Sequence, residues 1–89
     1  MKVVKVVYNK DTNFIIDIVE EFKDKCILEF YSINKRQDMK KARVIQEDMG
    51  TKNLPVIAIE DENFELVGGI YSESKPDWRS ELILKLNLI

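Results

Sequence analysis

Few side chains in this 89-residue chain are able to do chemistry, and their spacing excludes most of what they could do. There is one cysteine, Cys26, and no histidine. A lone thiol excludes an intramolecular disulfide and a cysteine-rich metal site, and without imidazole there is no His-based acid–base catalysis or metal ligation. Thr12 carries a hydroxyl, but no histidine is available as its base, so a threonine nucleophile is not expected. EDENFE (60–65) concentrates carboxylates, yet it lacks the Gly-centred loop of alternating ligands that calcium requires. Arg36, Lys40 and Arg43 share a helix face at i, i+4 and i+7 but are interleaved with Asp38, Glu47 and Asp48, which reads as a solvated face. No catalytic residue, metal ligand or cofactor is assigned on these grounds.

The bulk properties narrow the partners. Fourteen basic residues nearly balance sixteen acidic ones, for a formal charge of −2, so the concentrated positive charge of a nucleic-acid partner is missing. MKVVKVVY turns polar too early for a signal-peptide core, and no run approaches the ~18 apolar residues of a membrane span. A reduced, cytoplasmic setting and a single domain over 1–89 are expected, without nucleic-acid or membrane partners.

The elements that must position these residues follow from periodicity. KVVKVVY (2–8) is nearly all apolar and rich in β-branched residues, which suits a strand covered on both faces. Asp11 or Thr12 is placed to cap a helix running to about Lys25, with Phe14, Ile18 and Phe22 recurring every four residues beside Ile15 and Val19. CILEFYSI (26–33) is a second strand, and Asn34 with Gln37 resembles a capping box opening a helix through Met39, Ala42, Ile45 and Met49. Gly50 is the expected stop. PVIAIE (55–60), the turn DEN (61–63) and FELVGG (64–69) predict a hairpin whose second strand lies at an edge. Pro76 suits the first turn of a last helix, with Trp78, Leu82, Ile83 and Leu86 as its buried stripe. The order β-α-β-α-β-β-α predicts an α/β fold: a four-stranded mixed sheet with helices on both faces.

Three segments in this order resemble the thioredoxin-like superfamily, most of all its glutaredoxin-like branch. VVYNK (6–10) resembles a first strand ending in Tyr-x-Lys, NLPVIAI (53–59) the segment in which a cis-proline opens the third strand, and VGG (67–69) the paired glycines of the fourth. The resemblance spans essentially the whole chain. It places the family's Cys-x-x-Cys redox site on Asn13, Phe14, Ile15 and Ile16, or within one residue of them, where there is no sulfur. Disulfide exchange by the family mechanism is therefore excluded, and a redox-inactive protein is implied. Cys26, at the start of the second strand, falls at the far end of the sheet and reads as a small buried hydrophobe.

What the resemblance implies beyond the fold is a contact surface at the former redox edge. Leu54–Pro55 would be cis, leaving the Leu54 backbone groups free to pair with an extended peptide. Lys10 matches the lysine that pairs with the glycyl carboxylate of glutathione in glutaredoxins, and equally reads as a solvated loop lysine. Ser72 lies near the region that receives the γ-glutamyl amine. Phe14, Ile15 and Ile16 are consecutive on a helix, so they cannot all face the core, and Ile16 or Ile15 is expected to be exposed or covered by something else. The implied binding set is Lys10, Thr12, Asn13, Phe14, Ile15, Ile16, Asn53, Leu54, Pro55, Gly68 and Gly69. Its occupant would be a protein or peptide, which includes a second copy of the chain. The alternative is a degenerate glutathione or small-thiol site carried by Lys10, Leu54 and Pro55. A redox partnership in trans through Cys26 is a third reading.

Overall fold

A computed structural model describes residues 1–72 and 76–89. Its elements are β1 (Val3–Tyr8), α1 (Phe14–Glu20), β2 (Ile27–Ser32), a 3₁₀ turn (Arg36–Asp38), α2 (Met39–Met49), β3 (Val56–Glu60), β4 (Leu66–Tyr71) and α3 (Trp78–Asn87). The sheet order is β2-β1-β3-β4. β1 and β2 are parallel, with Val3 opposite Ile27 and Tyr8 opposite Ser32, whereas β3 runs antiparallel to both β1 and β4. This is the thioredoxin-like arrangement expected from the element order.

Alternation along the strands builds two cores. Val4, Val6, Ile57, Ile59 and Ile70 point to the face covered by α1 and α3, where Ile15, Val19, Phe22, Leu82 and Leu86 meet them. Val7, Val56 and Ala58 point the other way, against Ala42 and Ile45 of α2. The central strands β1 and β3 are covered on both sides, which explains why VVKVVY and VIAIE are almost continuously apolar. Lys5 is the exception in β1, and its ammonium lies 3.0 Å from Glu60 Oε1 on β3, an ion pair outside hydrogen-bond alignment.

Several expected boundaries shift, each for a local reason. α1 stops at Glu20 and not near Lys25, and the Phe22 and Lys23 N–H groups tighten onto Val19 and Glu20 carbonyls three residues back. Glu20 and Glu21 at its C-terminus oppose the helix dipole, and no basic residue in its last turn offsets them. Neither Asp11 nor Thr12 caps it, because the Thr12 hydroxyl bonds to Asn9 and Asn13 occupies the cap position. Asn34 likewise forms no capping box. Its Oδ1 accepts the Lys10 N–H, and α2 starts after Asp38, whose carboxylate accepts the Ser32 N–H. Gly50 does end α2, in the left-handed conformation with φ 68°.

The hairpin turn is longer than DEN. Asp61 Oδ1 accepts the N–H groups of Asn63 and Glu65, holding Phe64 at φ 64°, and β4 starts only at Leu66. Pro76 precedes α3 by two residues, in a turn, and does not stand in its first turn. Leu82 and Leu86 are fully buried and Trp78 partly so, but Ile83 is exposed, because a ten-residue helix lying on a sheet edge buries only a narrow stripe.

Candidate functional site

The candidate site forms where β1 runs out at Tyr8. The loop that follows is closed on itself. Asn9 Oδ1 accepts from the Asp11 N–H at 3.0 Å and the Thr12 hydroxyl at 2.9 Å, while Thr12 Oγ1 accepts the Asn9 N–H at 2.9 Å. The Lys10 N–H donates to Asn34 Oδ1 at 2.8 Å, tying this loop to the one after β2. Asn and Thr favour such local side-chain-to-backbone bonds, so the loop is set before any ligand arrives. Lys10 is exposed, and its ammonium has no partner among the described residues.

The four residues in the position of the redox motif have separate fates. Asn13 is exposed, Ile15 is fully buried, and Phe14 and Ile16 are half-buried against the core of the α1/α3 face. Of the two isoleucines, then, Ile15 belongs to the core and cannot contact a partner; Ile16 is the one with exposed surface. Phe14 is covered from α3. The Arg79 guanidinium sits 4.4 Å from its ring centroid and the Trp78 ring lies 6.3 Å away, tilted by 48°. Arg79 also lies 5.5 Å over Trp78. An arginine within reach of two adjoining aromatic rings is attracted by both ring quadrupoles. Sequence reasoning missed this stack: Trp78 reads as a stripe residue, and no local signal joins Arg79 to a phenylalanine more than sixty positions earlier.

At the same end of the sheet, Val7 faces Val56 across β1 and β3, which brings the 53–55 segment beside the loop. Leu54–Pro55 is a cis peptide bond. Pro55 is buried and its carbonyl accepts the Ser72 N–H at 3.1 Å. Asn53 is exposed and its N–H donates to Thr51 Oγ1. Leu54 is half-buried against the α2-side core, and neither its N–H nor its C=O has a hydrogen-bond partner among the described residues. Its side chain also borders an open depression of about 750 Å³ reaching along the end of α2, with Ile33, Arg43, Glu47 and Lys52 on its walls. That depression lies on the α2 side of Pro55, away from Phe14 and Ile16.

Gly68 and Gly69 stand apart from this end. Gly68 pairs with Ile59, which pairs with Val4, so both glycines lie within β4 and it is Tyr71 that reaches the row beside Pro55. Gly69 has an internal reason: a Cβ there would meet the Ile57 carbonyl oxygen at 2.5 Å and Met49 Cε at 2.7 Å.

Cys26 precedes the residue opposite Val3, at the far end of the sheet from loop 9–13. It is buried, its Sγ–H donates to the Phe22 carbonyl at 3.4 Å, and burial pushes the thiol pKa up, away from the thiolate. With one cysteine in the chain, the dithiol chemistry of thioredoxin-like enzymes has no reactants. Tyr31 is the most shifted phenol: burial, together with its hydrogen bond to Glu29, pushes it up to about 12, and Lys41 lies 5.7 Å over its ring. Among the described residues no group of His, Cys, Asp and Glu could hold a metal ion, and no helix is long and apolar enough to cross a membrane. The sequence matches no protein-family model and no curated protein.

Proposed function

We propose that this thioredoxin-like domain is a non-catalytic contact module that takes an extended peptide or protein segment at the end of the sheet formed by Lys10–Ile16 and Asn53–Pro55. The observation that carries the proposal is Leu54. A half-buried residue with both backbone groups unpaired is a cost to the fold unless something satisfies them, and an extended chain laid beside it supplies one donor and one acceptor. The side chains around it provide specificity. Ile33 and Leu54 offer apolar contact in the depression, Arg43 and Lys52 favour a ligand carrying a carboxylate, and the exposed part of Ile16 extends the surface on the other side.

A second reading rests on Lys10, whose free ammonium beside the same loop suits the carboxylate of a small thiol such as glutathione. The two separate in one NMR experiment. The ¹⁵N-labelled protein is titrated with reduced glutathione and, separately, with a mixture of unstructured hexapeptides. Saturable peptide-dependent shifts at Leu54 and Ile16, with none at millimolar glutathione, support the contact module. Glutathione-dependent shifts that vanish in Lys10→Ala and weaken with salt support the small-thiol site. Silence at Leu54 with both ligands removes both.

A further inference from the structure

We propose that the extended segment taken at Leu54 is acidic, its carboxylates read by Arg43 and Lys52 in the depression and by Lys40, Arg36 and Lys35 beyond it. The inference deepens the contact module and rests on that reading.

Charge is divided unevenly along the chain. Residues 33–54 hold six of the fourteen basic residues and only three of the sixteen acidic ones, so this stretch carries +3 while the remainder carries −5. The same stretch builds the depression beside Leu54. Ile33 and Leu54, at its two ends, both line it, and α2 lies between them. Arg43, Gln46, Glu47 and Gly50 line it from α2, one helix face at i, i+3, i+4 and i+7. Lys40, three residues before Arg43, continues that face toward the start of α2, and Lys35 and Arg36 follow Ile33 by two and three residues. The wall of the depression thus runs on into a ridge of cations.

The fold itself does not use these cations. Lys35, Arg36, Lys40, Arg43 and Lys52 are exposed, and none of their charged groups has a hydrogen-bond or ion-pair partner among the described residues. Of the six, only Lys41 is engaged, over the Tyr31 ring. The carboxylates expected to interleave with them lie elsewhere: Asp38 Oδ2 accepts the Ser32 N–H, and Glu47 and Asp48 stand in the last turn of α2. Nor does helix stability explain the placement. α2 has no acidic residue in its first turn and no basic residue in its last, so its charges run against its dipole. A solvated face gains nothing from that order, whereas a surface that attracts an anionic ligand does.

The occupant is a peptide and not another polyanion, because the ridge adjoins a peptide edge. Leu54 leaves one N–H and one C=O unpaired. An extended backbone matches both, whereas a phosphate can accept from the N–H but has no proton for the C=O. The −5 on the rest of the chain also opposes a long polyanion. From Lys40 to Gly50 the helix rises about 15 Å, a length that four or five extended residues span. The ligand is therefore a short stretch with an apolar side chain over Ile33 and Leu54 and carboxylates along α2.

Two acetylated hexapeptides test this by fluorescence anisotropy and by ¹⁵N NMR. One carries a leucine followed by glutamates, and the other has glutamine in place of each glutamate. A surface ion pair contributes up to about fivefold, so two or more should make the glutamate peptide bind roughly tenfold more tightly at low salt. That preference should vanish near about 0.5 M salt, where screening acts within a few Å. Lys40→Gln combined with Arg43→Gln should remove most of it and leave the glutamine peptide unaffected; circular dichroism checks that the variant folds. Equal affinity for the two peptides, with saturable shifts at Leu54 for both, overturns the acidic preference and leaves the contact module standing. Silence at Leu54 with both overturns the module and this inference with it. A glutamate preference that survives the double variant overturns the assignment to the α2 ridge. So does a single-stranded hexanucleotide that binds more tightly than the glutamate peptide and shifts Lys40 and Arg43, which would make the ridge a phosphate surface.

Discussion

Replacing Gly69 with alanine drives a Cβ to 2.5 Å from the Ile57 carbonyl oxygen, 2.7 Å from Met49 Cε and 2.9 Å from Met49 Sδ. The methionine is flexible and can swing aside, but the carbonyl belongs to the central strand β3 and cannot move without breaking its pairing to β1 and β4. Overpacking against fixed backbone costs about 1–3 kcal/mol, and loss of the Met49 contact adds to it. We expect Gly69→Ala to lose about 2–3 kcal/mol of a total near 5–10 kcal/mol. At about 4–8 °C per kcal/mol for a domain of this size, the midpoint falls by roughly 10–20 °C. The control is its neighbour. Gly68→Ala meets nothing within 4 Å and has no unusual backbone angle, so it should be neutral or stabilising by up to about 1 kcal/mol through lower unfolded-state entropy. Urea unfolding of both variants at the same low-micromolar concentration reads the difference. Met49→Ala in the Gly69→Ala background should recover only part of the loss, since the Ile57 oxygen remains. Equal effects at the two glycines, or full recovery with Met49→Ala, would refute the claim that β3 backbone sets the requirement.

Ile15 and Ile16 should separate as sharply: Ile15→Ala is expected to cost about 2–5 kcal/mol because the side chain is fully buried, while half-buried Ile16→Ala should cost clearly less by the same denaturation assay. Tyr31 gives a pH signature. Burial first and Glu29 second hold its folded pKa at about 12 against an ordinary 10, so the folded state keeps the phenol protonated; that stabilisation is complete below pH 10 and is lost as pH rises through about 12. Ultraviolet titration of the phenols should show one late-titrating tyrosine, and Glu29→Gln should lower its midpoint only partway, because burial remains.

The centre of the sheet was legible because β1 and β3 announce their own burial, whereas β2, nearly as apolar, lies at an edge. VVKVVY and VIAIE are apolar on both faces, and the structure puts them in the centre; FELVGG alternates, and the segment lies at an edge. What the sequence hid depends on choices between equivalent local bonds. Thr12 and Asn34 are sound cap residues, but each found a partner nearer the loop, Asn9 for one and the Lys10 N–H for the other. Propensity ranks such residues as cappers without saying which backbone group they take. Ile83 shows the same limit at helix scale. Its spacing fits a stripe through Leu82 and Leu86, but the width of the stripe is set by how much sheet lies beneath, a tertiary quantity. The site was legible in part. Pro55 and the loop after Tyr8 lie at one end of the sheet, whereas both glycines lie within β4 and only Gly69 is required there by its neighbours.

The fate of the redox position follows from the same physics. A cysteine at the start of α1 would need an exposed sulfur and unpaired N–H groups in front of it. Here the Ile15 N–H is bonded to the Thr12 carbonyl and the Ile16 N–H to the Asn13 carbonyl, α1 is only seven residues long, and Phe14 is roofed by Arg79 and Trp78. Two amides of the helix start are thus bonded, and it carries no sulfur. A cysteine at Asn13 would be exposed, and one at Ile16 half-buried against the core. Leu54 differs because its peptide groups are left unpaired by the local backbone and owe nothing to the missing sulfur. The proposed contact role rests on those two peptide groups and needs no thiol chemistry.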